Sequence, residues 1–396
     1  MSKVLALLSG KGGSGKTTLA LSIASLLSSC TVKTLLIDCD ISTNGATYFY
    51  EEKLSDNSSK QASFYGFFIK GEGLLKNSIK INDYYDFIPS IGKITKNTYD
   101  TYRYNENDVE RVRKIFADLK ENYEVVVLDC QAGYSDLLKI LLPDVDINLL
   151  VMEADAISSS SIRSLYLKIG DLIEHRKLYQ VFNKATPEEY DTYSKLSGGT
   201  LFTNIETIIF DWRIRKAFSV AQIPDMETTS ANYGEQVYNI CKIIFSEKSV
   251  EEKLIKYEII IEIKHKQDQR RKLQEEVGAL RLETKESNNK SSFLMACIFI
   301  TILVASAMVL LIDSIHDQSM YGSIRSIGFS FLCILSAGMA VFLIACLFIP
   351  RKAKNRLREI KSKSADIIKL QEEEEILLDK LEIMKEELRA KSRKKK

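Results

Sequence analysis

The chain has 396 residues, a formal net charge of +2 and a sequence pI of about 8.0. A length above about 300 residues favours more than one structural region. Lys and Arg (55) nearly balance Asp and Glu (53), so the chain as a whole has no electrostatic preference for nucleic acid. Local clusters of charged residues are therefore more informative than the net charge.

Seven cysteines are scattered along the chain and form no Cys-x-x-Cys pair. This usage predicts neither a disulfide framework nor a zinc site, and it favours a reducing compartment. The apolar run after Met1-Ser2-Lys3 is too short for the core of a signal peptide. We therefore expect this end of the chain to stay inside the cell.

Short β-branched runs alternate with helical patterns from Val4 to about Phe245. This alternation predicts parallel strands joined by crossover helices. The runs are apolar almost throughout, as expected for strands covered on both faces. The stretch 44–104 lacks such periodicity and is assigned to loops with a helical excursion. The predicted strands are 4–8, 34–37, 125–128, 147–152, 179–182 and 207–210.

A glycine-rich segment lies between the first predicted strand and a helical pattern, which is the context that a P-loop requires. Its glycines let the backbone wrap phosphate groups, and the following helix contributes the positive end of its dipole. Lys16 is expected to reach the β and γ phosphates, and the Thr17 hydroxyl is expected to bind Mg²⁺. The predicted nucleotide-binding residues are Gly10, Lys11, Gly12, Gly13, Ser14, Gly15, Lys16, Thr17 and Thr18.

Residues 11–18 match the pattern Lys-Gly-Gly-x-Gly-Lys-Thr-Thr at every fixed position. They resemble the deviant Walker A ATPases, the family that includes ParA and MinD. The resemblance extends to about Phe245 and implies an α/β P-loop NTPase fold with a mostly parallel sheet. It also implies ATP and Mg²⁺ as cofactors and an ATP-dependent homodimer. Lys11 would then be catalytic together with Lys16, reaching across the dimer to the partner's phosphates. The alternative for Lys11 is a solvated loop lysine.

Three aspartates at predicted strand ends complete the expected site. Asp38 and Asp40 resemble the family's Asp-x-Asp element, so Asp38 would support the Mg²⁺ shell and Asp40 would orient the attacking water. Asp129 ends an apolar strand in the Walker B arrangement and would bind Mg²⁺ through water. Helix capping is the alternative role for aspartates at strand ends. The chain departs from the family at Ile41 and Gln131, where proline is usual.

Asn183 follows a later predicted strand, at the place of the family's base-reading asparagine. An amide side chain can pair with both N6 and N7 of adenine, so we predict a contact with the base. A plain turn asparagine is the alternative. The segment 210–215 resembles part of some relatives, but nothing in its residues assigns it a chemical role.

Two segments near the C-terminal end, 293–312 and 327–349, contain no charged residue. Each is long enough to cross a hydrocarbon core of roughly 30 Å as a helix, which predicts a transmembrane hairpin over 291–350. The alternative is a pair of helices buried in protein. Lys and Arg concentrate on both flanks, and Arg325 is the only one in the connecting loop. This asymmetry predicts a multi-pass cell-membrane protein with the ATPase domain and both termini in the cytoplasm.

Helical periodicity flanks the predicted hairpin on both sides. An ATPase domain over 1–246 is predicted to be followed by a cytoplasmic stalk helix over 247–290. The segment 351–396 is predicted to form a coiled-coil-like cytoplasmic helix with a basic tail. The two helices either pair antiparallel as a stalk or remain independent and solvated. The stalk would bind an unidentified protein partner.

The leading hypothesis is a membrane-anchored, ATP-hydrolysing switch that positions, partitions or organises a membrane-associated partner. A membrane-linked tyrosine autokinase shares the site motifs, but no tyrosine follows Tyr321 to supply a C-terminal tyrosine cluster. A non-enzymatic nucleotide-binding scaffold is the third hypothesis, and the retained Lys16, Asp40 and Asp129 argue against it. For the basic tail 391–396 we favour proximity to anionic lipid or general solvation, so a DNA partner is not expected, although it stays open.

Overall fold

The structure is a computed structural model. It describes residues 2–54, 63–66, 78–90, 106–173, 177–193, 202–222, 231–314, 355–384 and 386, and for 106, 231 and 286–314 it describes the backbone alone. The described residues fall into two compact units. The first contains those of Met1–Lys264 and Leu381–Lys396, and the second contains those of His265–Lys380.

One eight-stranded sheet forms the centre of the first unit, with the strand order β3-β4-β2-β5-β1-β6-β7-β8. Strand β3 is antiparallel to β4, and the other neighbouring pairs are parallel. The predicted mostly parallel sheet is therefore confirmed. The strands are β1 (Lys3–Leu8), β2 (Thr34–Asp38), β3 (Ile79–Asn82), β4 (Tyr85–Ile88), β5 (Val125–Asp129), β6 (Ile147–Met152), β7 (Lys177–Ala185) and β8 (Thr203–Ile209).

Helices connect the strands and cover both faces of the sheet. Those of the first unit are α1 (Lys16–Ser29), α2 (Gly45–Tyr48), α3 (Glu106–Asn122), α4 (Asp136–Leu141), α5 (Ala156–Ile169), α6 (Pro187–Tyr193), α7 (Trp212–Ser219) and α8 (Ala231–Ile244). Helix α9 (Lys248–Ser314) begins in the first unit and continues into the second. Helix α10 spans residues 355–384.

Two cores, one on each face, explain why the central strands are apolar throughout. In β1, Leu5 and Leu7 pack on the side of α1 and α8, whereas Val4, Ala6 and Leu8 pack on the side of α3, α4 and α5. With both faces buried, the open positions of the sheet are its strand ends. The carboxyl ends of parallel strands share one edge, so the loops after β1, β2 and β5 meet there.

The stretch 44–104 differs from the predicted loops with a helical excursion. Its described part contains the short α2 and two strands, and β4 extends the sheet by pairing in parallel with β2. Strand β3 then pairs antiparallel with β4. Polar residues such as Lys80 and Asp86 interrupt these strands, so neither gives the continuous apolar run that marks the other strands, and pairing with the sheet stabilises them.

The first turns of α9 belong to the core of the first unit. Val250, Leu254 and Tyr257 are at most 3 % exposed and lie in the same apolar cluster as α1 and α8. Lys256 Nζ also donates a hydrogen bond to the Ser29 carbonyl at the end of α1, over 2.8 Å. The first turns of the predicted stalk segment 247–290 thus pack in the core of the first unit.

In the second unit, α9 and α10 lie side by side in opposite directions. Residue numbers rise along one helix as they fall along the other, so the pairing is antiparallel. Of the two sequence alternatives, the structure shows pairing for these residues. The ion pairs between the helices are Lys266–Glu373, Arg270–Glu374, Glu276–Lys363 and Glu283–Arg356.

Among the residues whose side chains the structure describes, no helix combines the length and apolar character needed to cross a membrane. The predicted span 293–312 lies in the part of α9 described by its backbone alone. The predicted span 327–349 and the basic tail 391–396 lie outside the described residues.

Candidate functional site

The loop between β1 and α1 has glycines where its backbone requires them. Gly13 and Gly15 have φ angles of +82° and +89°, in the left-handed region that glycine adopts without steric cost. A Cβ on Gly15 would lie 2.2 Å from the Asn183 Nδ2 atom, so only glycine fits there. Gly15 is the N-cap of α1, so the helix begins at Lys16 with its N-terminal end at the loop.

A pocket of about 760 Å³ lies over this loop, within the usual size range of small-ligand sites. It is lined by the P-loop, the segment after β2, the end of β7, and α7. Gly10 does not line it, because it packs against α5, where a Cβ would lie 2.3 Å from the Ser161 carbonyl carbon. The predicted site residues that line the pocket are Gly12, Gly13, Gly15, Lys16, Thr17, Thr18, Asp40 and Asn183.

Asp38 and Asp129 lie side by side, because β2 and β5 are parallel and pair these two residues in register. Both side chains are fully buried. Burial, reinforced by repulsion from Asp129, raises the pKa of Asp38. Burial also raises the pKa of Asp129, although the nearby positive charge of Lys16 opposes the rise. Neither carboxylate oxygen of Asp129 has a partner with good hydrogen-bond geometry within the described residues, although the Thr17 hydroxyl is near enough to lower its pKa.

This arrangement fits a hard cation such as Mg²⁺. A buried carboxylate without a partner is unfavourable unless another group neutralises it. Among the described residues, no group of three or more His, Cys, Asp or Glu side chains could hold a metal ion. An ion here would therefore take most ligands from hydroxyl, water and phosphate oxygens, as Mg²⁺ commonly does. Thr17 and Asp129 are the side chains placed for it.

Asp38 is occupied by donors of the protein itself. Its Oδ1 accepts from Asp40 N over 3.0 Å, and its Oδ2 accepts from Thr47 N over 2.8 Å and from Thr47 Oγ1 over 2.7 Å. These bonds fix the segment after β2 to the end of that strand. The structure shows Asp38 bonded to donors of the protein itself, and its role as a support of the metal shell stays a prediction.

Asp40 shapes the same segment through its carboxylate. Oδ1 accepts from Ser42 Oγ over 2.6 Å and from the backbone N–H groups of Ser42 and Thr43, each over 3.1 Å. Oδ2 accepts from Thr43 Oγ1 over 2.7 Å. These bonds close a turn directly after Asp40 and are not the helix cap that the sequence left open, because the N-cap of α2 is Asn44. Asp40 also lines the pocket, so the turn bonds and an attacking water would compete for the same oxygens.

Asn183 is held against the P-loop. Its Nδ2 donates to the Ser14 carbonyl over 2.8 Å, and its Oδ1 accepts from Lys184 N over 3.0 Å. The side chain is 7 % exposed and still lines the pocket. The structure therefore gives Asn183 a bond to the loop, and the adenine contact stays a prediction.

Lys11 is held by two acidic residues that follow β6. Its Nζ lies 3.0 Å from Glu153 Oε2 and 3.1 Å from Asp155 Oδ2. These contacts, led by the one to Glu153, raise the pKa of Lys11. Hydrogen bonds from Ser158, followed by the one from Lys11, hold the pKa of Asp155 well below its usual range. Lys11 is thus ion-paired to two carboxylates, with its side chain 32 % exposed.

The sequence interpretation missed several residues of this pocket. The segment 210–215 was assigned no chemistry, yet Phe210, Asp211 and Arg215 line the pocket together with Phe218. Asp211 caps α7 with one oxygen, and its Oδ2 has no partner in the described part of the chain. The available signal was an aspartate two residues after the end of β8, at the same edge of the sheet as the other site aspartates.

The sheet, the glycine-rich loop and the pocket have the arrangement that a P-loop nucleotide-binding site requires. The family model AAA_31, an AAA domain, matches residues 2–181. The matched range contains the P-loop and the three aspartates Asp38, Asp40 and Asp129.

Solved structures with the same fold come from plasmid partition and cell division. A putative plasmid partition protein from Borrelia burgdorferi, bound to AMPPNP, is 22 % identical with a TM-score of 0.52, covering 62 % of this chain and 99 % of that chain. The MinC:MinD cell division protein complex of Aquifex aeolicus is 18 % identical with a TM-score of 0.50, covering 62 % and 97 %. The ParA/MinD-like P-loop fold predicted from residues 11–18 is therefore confirmed.

A curated relative adds a sequence match without a known role. It is an uncharacterized protein of Methanocaldococcus jannaschii, 30 % identical over 131 residues, which is 32 % of this chain and 49 % of that protein. The chain thus spans about half the length of this relative.

Proposed function

We propose that this chain is an ATP-binding and ATP-hydrolysing switch that dimerises on ATP and positions, partitions or organises a membrane-associated partner. One observation carries the proposal. The edge of the sheet places Lys16, Thr17 and Asp40 of the pocket close to the buried carboxylate of Asp129, where Lys16 and Thr17 favour its charged form. A phosphate-binding loop, a cation site and a water-orienting carboxylate are the parts that ATP hydrolysis requires.

The residues divide this work by position. The P-loop N–H groups and the N-terminal end of α1 bind phosphate, and Lys16 neutralises the β and γ phosphates. Thr17 and Asp129 would hold Mg²⁺, which supplies further neutralisation of the phosphates when it is bound. Asp40 orients the attacking water after one of its bonds to the Ser42–Thr43 turn opens. Asp38 keeps this segment at the end of β2 meanwhile.

Dimerisation uses Lys11. In one protomer its ammonium group is satisfied by Glu153 and Asp155, and this pairing is the resting state. In the ATP-bound dimer, Lys11 leaves these carboxylates for the more highly charged phosphates of the partner's nucleotide. The phosphates of ATP then contribute the free energy that joins the two protomers.

The membrane part of the proposal rests on the sequence. The segments 293–312 and 327–349 form a transmembrane hairpin in the cell membrane, with the ATPase domain and both termini in the cytoplasm. The antiparallel pair of α9 and α10 forms the stalk and offers its surface to an unidentified protein partner. A reporter that is active only in the cytoplasm, fused to either terminus, should be active at both. Activity at one terminus alone would contradict the hairpin.

The direct test is phosphate release by the full-length protein in detergent or nanodiscs, with Mg²⁺ and ATP, over a range of protein concentrations. We expect a specific activity that rises with protein concentration and falls at least about tenfold in Lys16→Ala, Asp40→Ala and Lys11→Ala. Lys80→Ala is the matched control, since Lys80 is an exposed, ion-paired lysine that does not line the pocket. Its activity should equal that of the wild type.

Other outcomes would assign other functions. Nucleotide binding without phosphate release, even with lipid supplied, would support the scaffold. Transfer of the γ-phosphate to a tyrosine would support the autokinase. Specific activity that does not depend on protein concentration would remove the dimer from the proposal.

A further inference from the structure

Lys184 adopts a backbone conformation that residues with a Cβ rarely use. Its φ angle is +60°, in the left-handed region where such residues are strained. The residue lies near the end of β7, where the register with β8 shifts between Phe182 and Ala185. A shift of this kind redirects side chains locally. Strain retained beside a binding pocket is a reason to look for a role of the residue.

The side chains at this irregularity both donate to the P-loop. Asn183 Nδ2 bonds to the Ser14 carbonyl over 2.8 Å, and Lys184 Nζ bonds to the Gly13 carbonyl. A P-loop binds phosphate with its N–H groups, so its carbonyls need partners on the other side of the loop. Two consecutive residues of β7 thus satisfy two consecutive carbonyls of the loop.

Lys184 also shares a carboxylate with Lys11. Its Nζ lies 3.0 Å from Glu153 Oε1, while Lys11 Nζ lies 3.0 Å from Glu153 Oε2. All three side chains are about one-third exposed. Hydrogen bonds from Lys184, and then from Lys11, outweigh the desolvation of Glu153 and lower its pKa. Glu153 is therefore held in its charged form by two cations, Lys11 and Lys184.

The second carboxylate around Lys11 is also satisfied independently of it. Asp155 accepts from Ser158 N over 2.8 Å and from Ser158 Oγ over 2.6 Å. If Lys11 departs, Asp155 keeps these bonds and Glu153 keeps Lys184. Neither acid is left without a partner, which would otherwise oppose the departure.

We propose that Lys184 is a positioning residue with two tasks, holding the P-loop through the Gly13 carbonyl and neutralising Glu153 when Lys11 moves to the partner's nucleotide. The second task rests on the proposed function. Without Lys184, Glu153 would have Lys11 as its one cation among the described residues and would retain it more strongly. Removal of Lys184 should therefore impair nucleotide binding and dimerisation by two separable routes.

The test compares Lys184→Ala, Lys184→Arg, Glu153→Gln and the double variant Lys184→Ala/Glu153→Gln in the full-length protein, with Lys80→Ala as control. Two quantities are measured. One is the affinity for a fluorescent ADP at a protein concentration low enough to keep monomers. The other is the protein concentration that gives half-maximal ATPase activity at saturating ATP. Thermal melting verifies that each variant is folded.

Lys184→Ala should weaken ADP affinity about tenfold or more, the effect of one charge-assisted hydrogen bond to the loop. It should also raise the half-activating protein concentration at least about threefold. Glu153→Gln should lower that concentration, because it releases Lys11. In the double variant, the half-activating protein concentration should no longer be raised, but the ADP affinity should stay weak. Lys184→Arg should return the half-activating concentration to that of the wild type.

Several results would overturn the proposal. If Lys184→Ala matches Lys80→Ala in ADP affinity, Lys184 does not hold the P-loop. The neutralising task is wrong if the specific activity of the wild type rises with protein concentration but Lys184→Ala has the same half-activating concentration. It is also wrong if adding Glu153→Gln to Lys184→Ala leaves the raised half-activating concentration unchanged. A wild type whose specific activity ignores concentration would instead refute the dimer of the proposed function. The ADP affinity would still decide the first task.

Discussion

Replacing Asp129 by Asn should stabilise the protein and impair its function at the same time. The carboxylate is 0 % exposed, and neither of its oxygens has a partner with good hydrogen-bond geometry in the described residues. It also faces Asp38 across the paired strand ends. A buried polar group without a partner costs about 1–3 kcal/mol, and a neutral amide removes the charged part of this cost. The gain is at most of that size, because the amide also loses the attraction of Lys16, and each kcal/mol raises the Tm of a domain of this size by about 2–4 °C.

The assay is thermal unfolding of the full-length protein at pH 7.5, first with a chelator and without nucleotide, and then with Mg²⁺ and ATP. Without ligand, Asp129→Asn should melt above the wild type. A ligand at about 100 times its Kd stabilises the wild type by about 2.7 kcal/mol, and most of this shift should be missing in the variant. The order of the two melting temperatures should therefore reverse on adding Mg²⁺ and ATP.

Asp118→Asn is the control for this experiment, since Asp118 is an exposed residue of α3. It should change neither melting temperature by more than about 1 °C, the effect of a neutral surface substitution. A lower Tm of ligand-free Asp129→Asn would show that the carboxylate is satisfied in the native protein. An intact Mg²⁺-ATP shift in the variant would show that Asp129 does not support the cation.

Three further predictions follow from burial and backbone geometry. Burial raises the pKa of Asp38 to about 7. Between about pH 4 and pH 7 the folded state therefore binds more protons than the unfolded state. Thermal scans without Mg²⁺ should show that stability falls as pH rises through this window. Gly15→Ala requires a left-handed alanine whose Cβ meets Asn183 Nδ2 at 2.2 Å, so fluorescent-nucleotide titration should show binding lost, with a destabilisation of about 1–3 kcal/mol in urea. Leu254→Ala removes a side chain that is 1 % exposed and should cost about 2–5 kcal/mol in the same urea titration. Leu282→Ala, at a position 67 % exposed, should change it by less than about 0.5 kcal/mol.

The parts of the fold that sequence predicts well are those with strong local signals. Strand β6 has the predicted bounds 147–152, and β1, β2 and β5 differ from prediction by one residue at one end. These runs are apolar throughout because helices cover both faces of the sheet. Strands β3 and β4 were missed because polar residues such as Lys80 and Asp86 interrupt their apolar pattern, and they are stabilised by the pairing of β4 with β2 and of β3 with β4.

The P-loop was predictable because the geometry of phosphate binding restricts residue types at fixed spacing. The contacts of Lys11 and Asn183 were not, because their partners are distant in sequence. Lys11 meets Glu153 and Asp155 through the pairing of β1 with β6, and Asn183 meets Ser14 through the order of the sheet. Tertiary contacts of this kind leave no local pattern.

The boundary of the stalk illustrates the same limit. Helical periodicity after Phe245 is visible in the sequence, but it does not reveal where the helix leaves a globular unit. The structure places the first turns of α9 in the core, through Leu254 and Tyr257, and the antiparallel pair with α10 follows from His265 onward. Packing against α1, which is distant in sequence, distinguishes the buried first turns of α9 from the part that pairs with α10.

The most direct test of the account is equilibrium binding of ATP followed by Trp212 fluorescence. This residue is the one tryptophan of the chain and is next to Asp211 of the pocket. We expect ATP to produce a saturable change in Trp212 fluorescence, with a Kd that falls when Mg²⁺ is added. The change should be absent in Lys16→Ala. In Asp129→Asn the Kd should not depend on Mg²⁺. A wild type that does not bind ATP, or that binds it equally well without Mg²⁺ and without Lys16, would contradict the assignment of this pocket as an ATPase site.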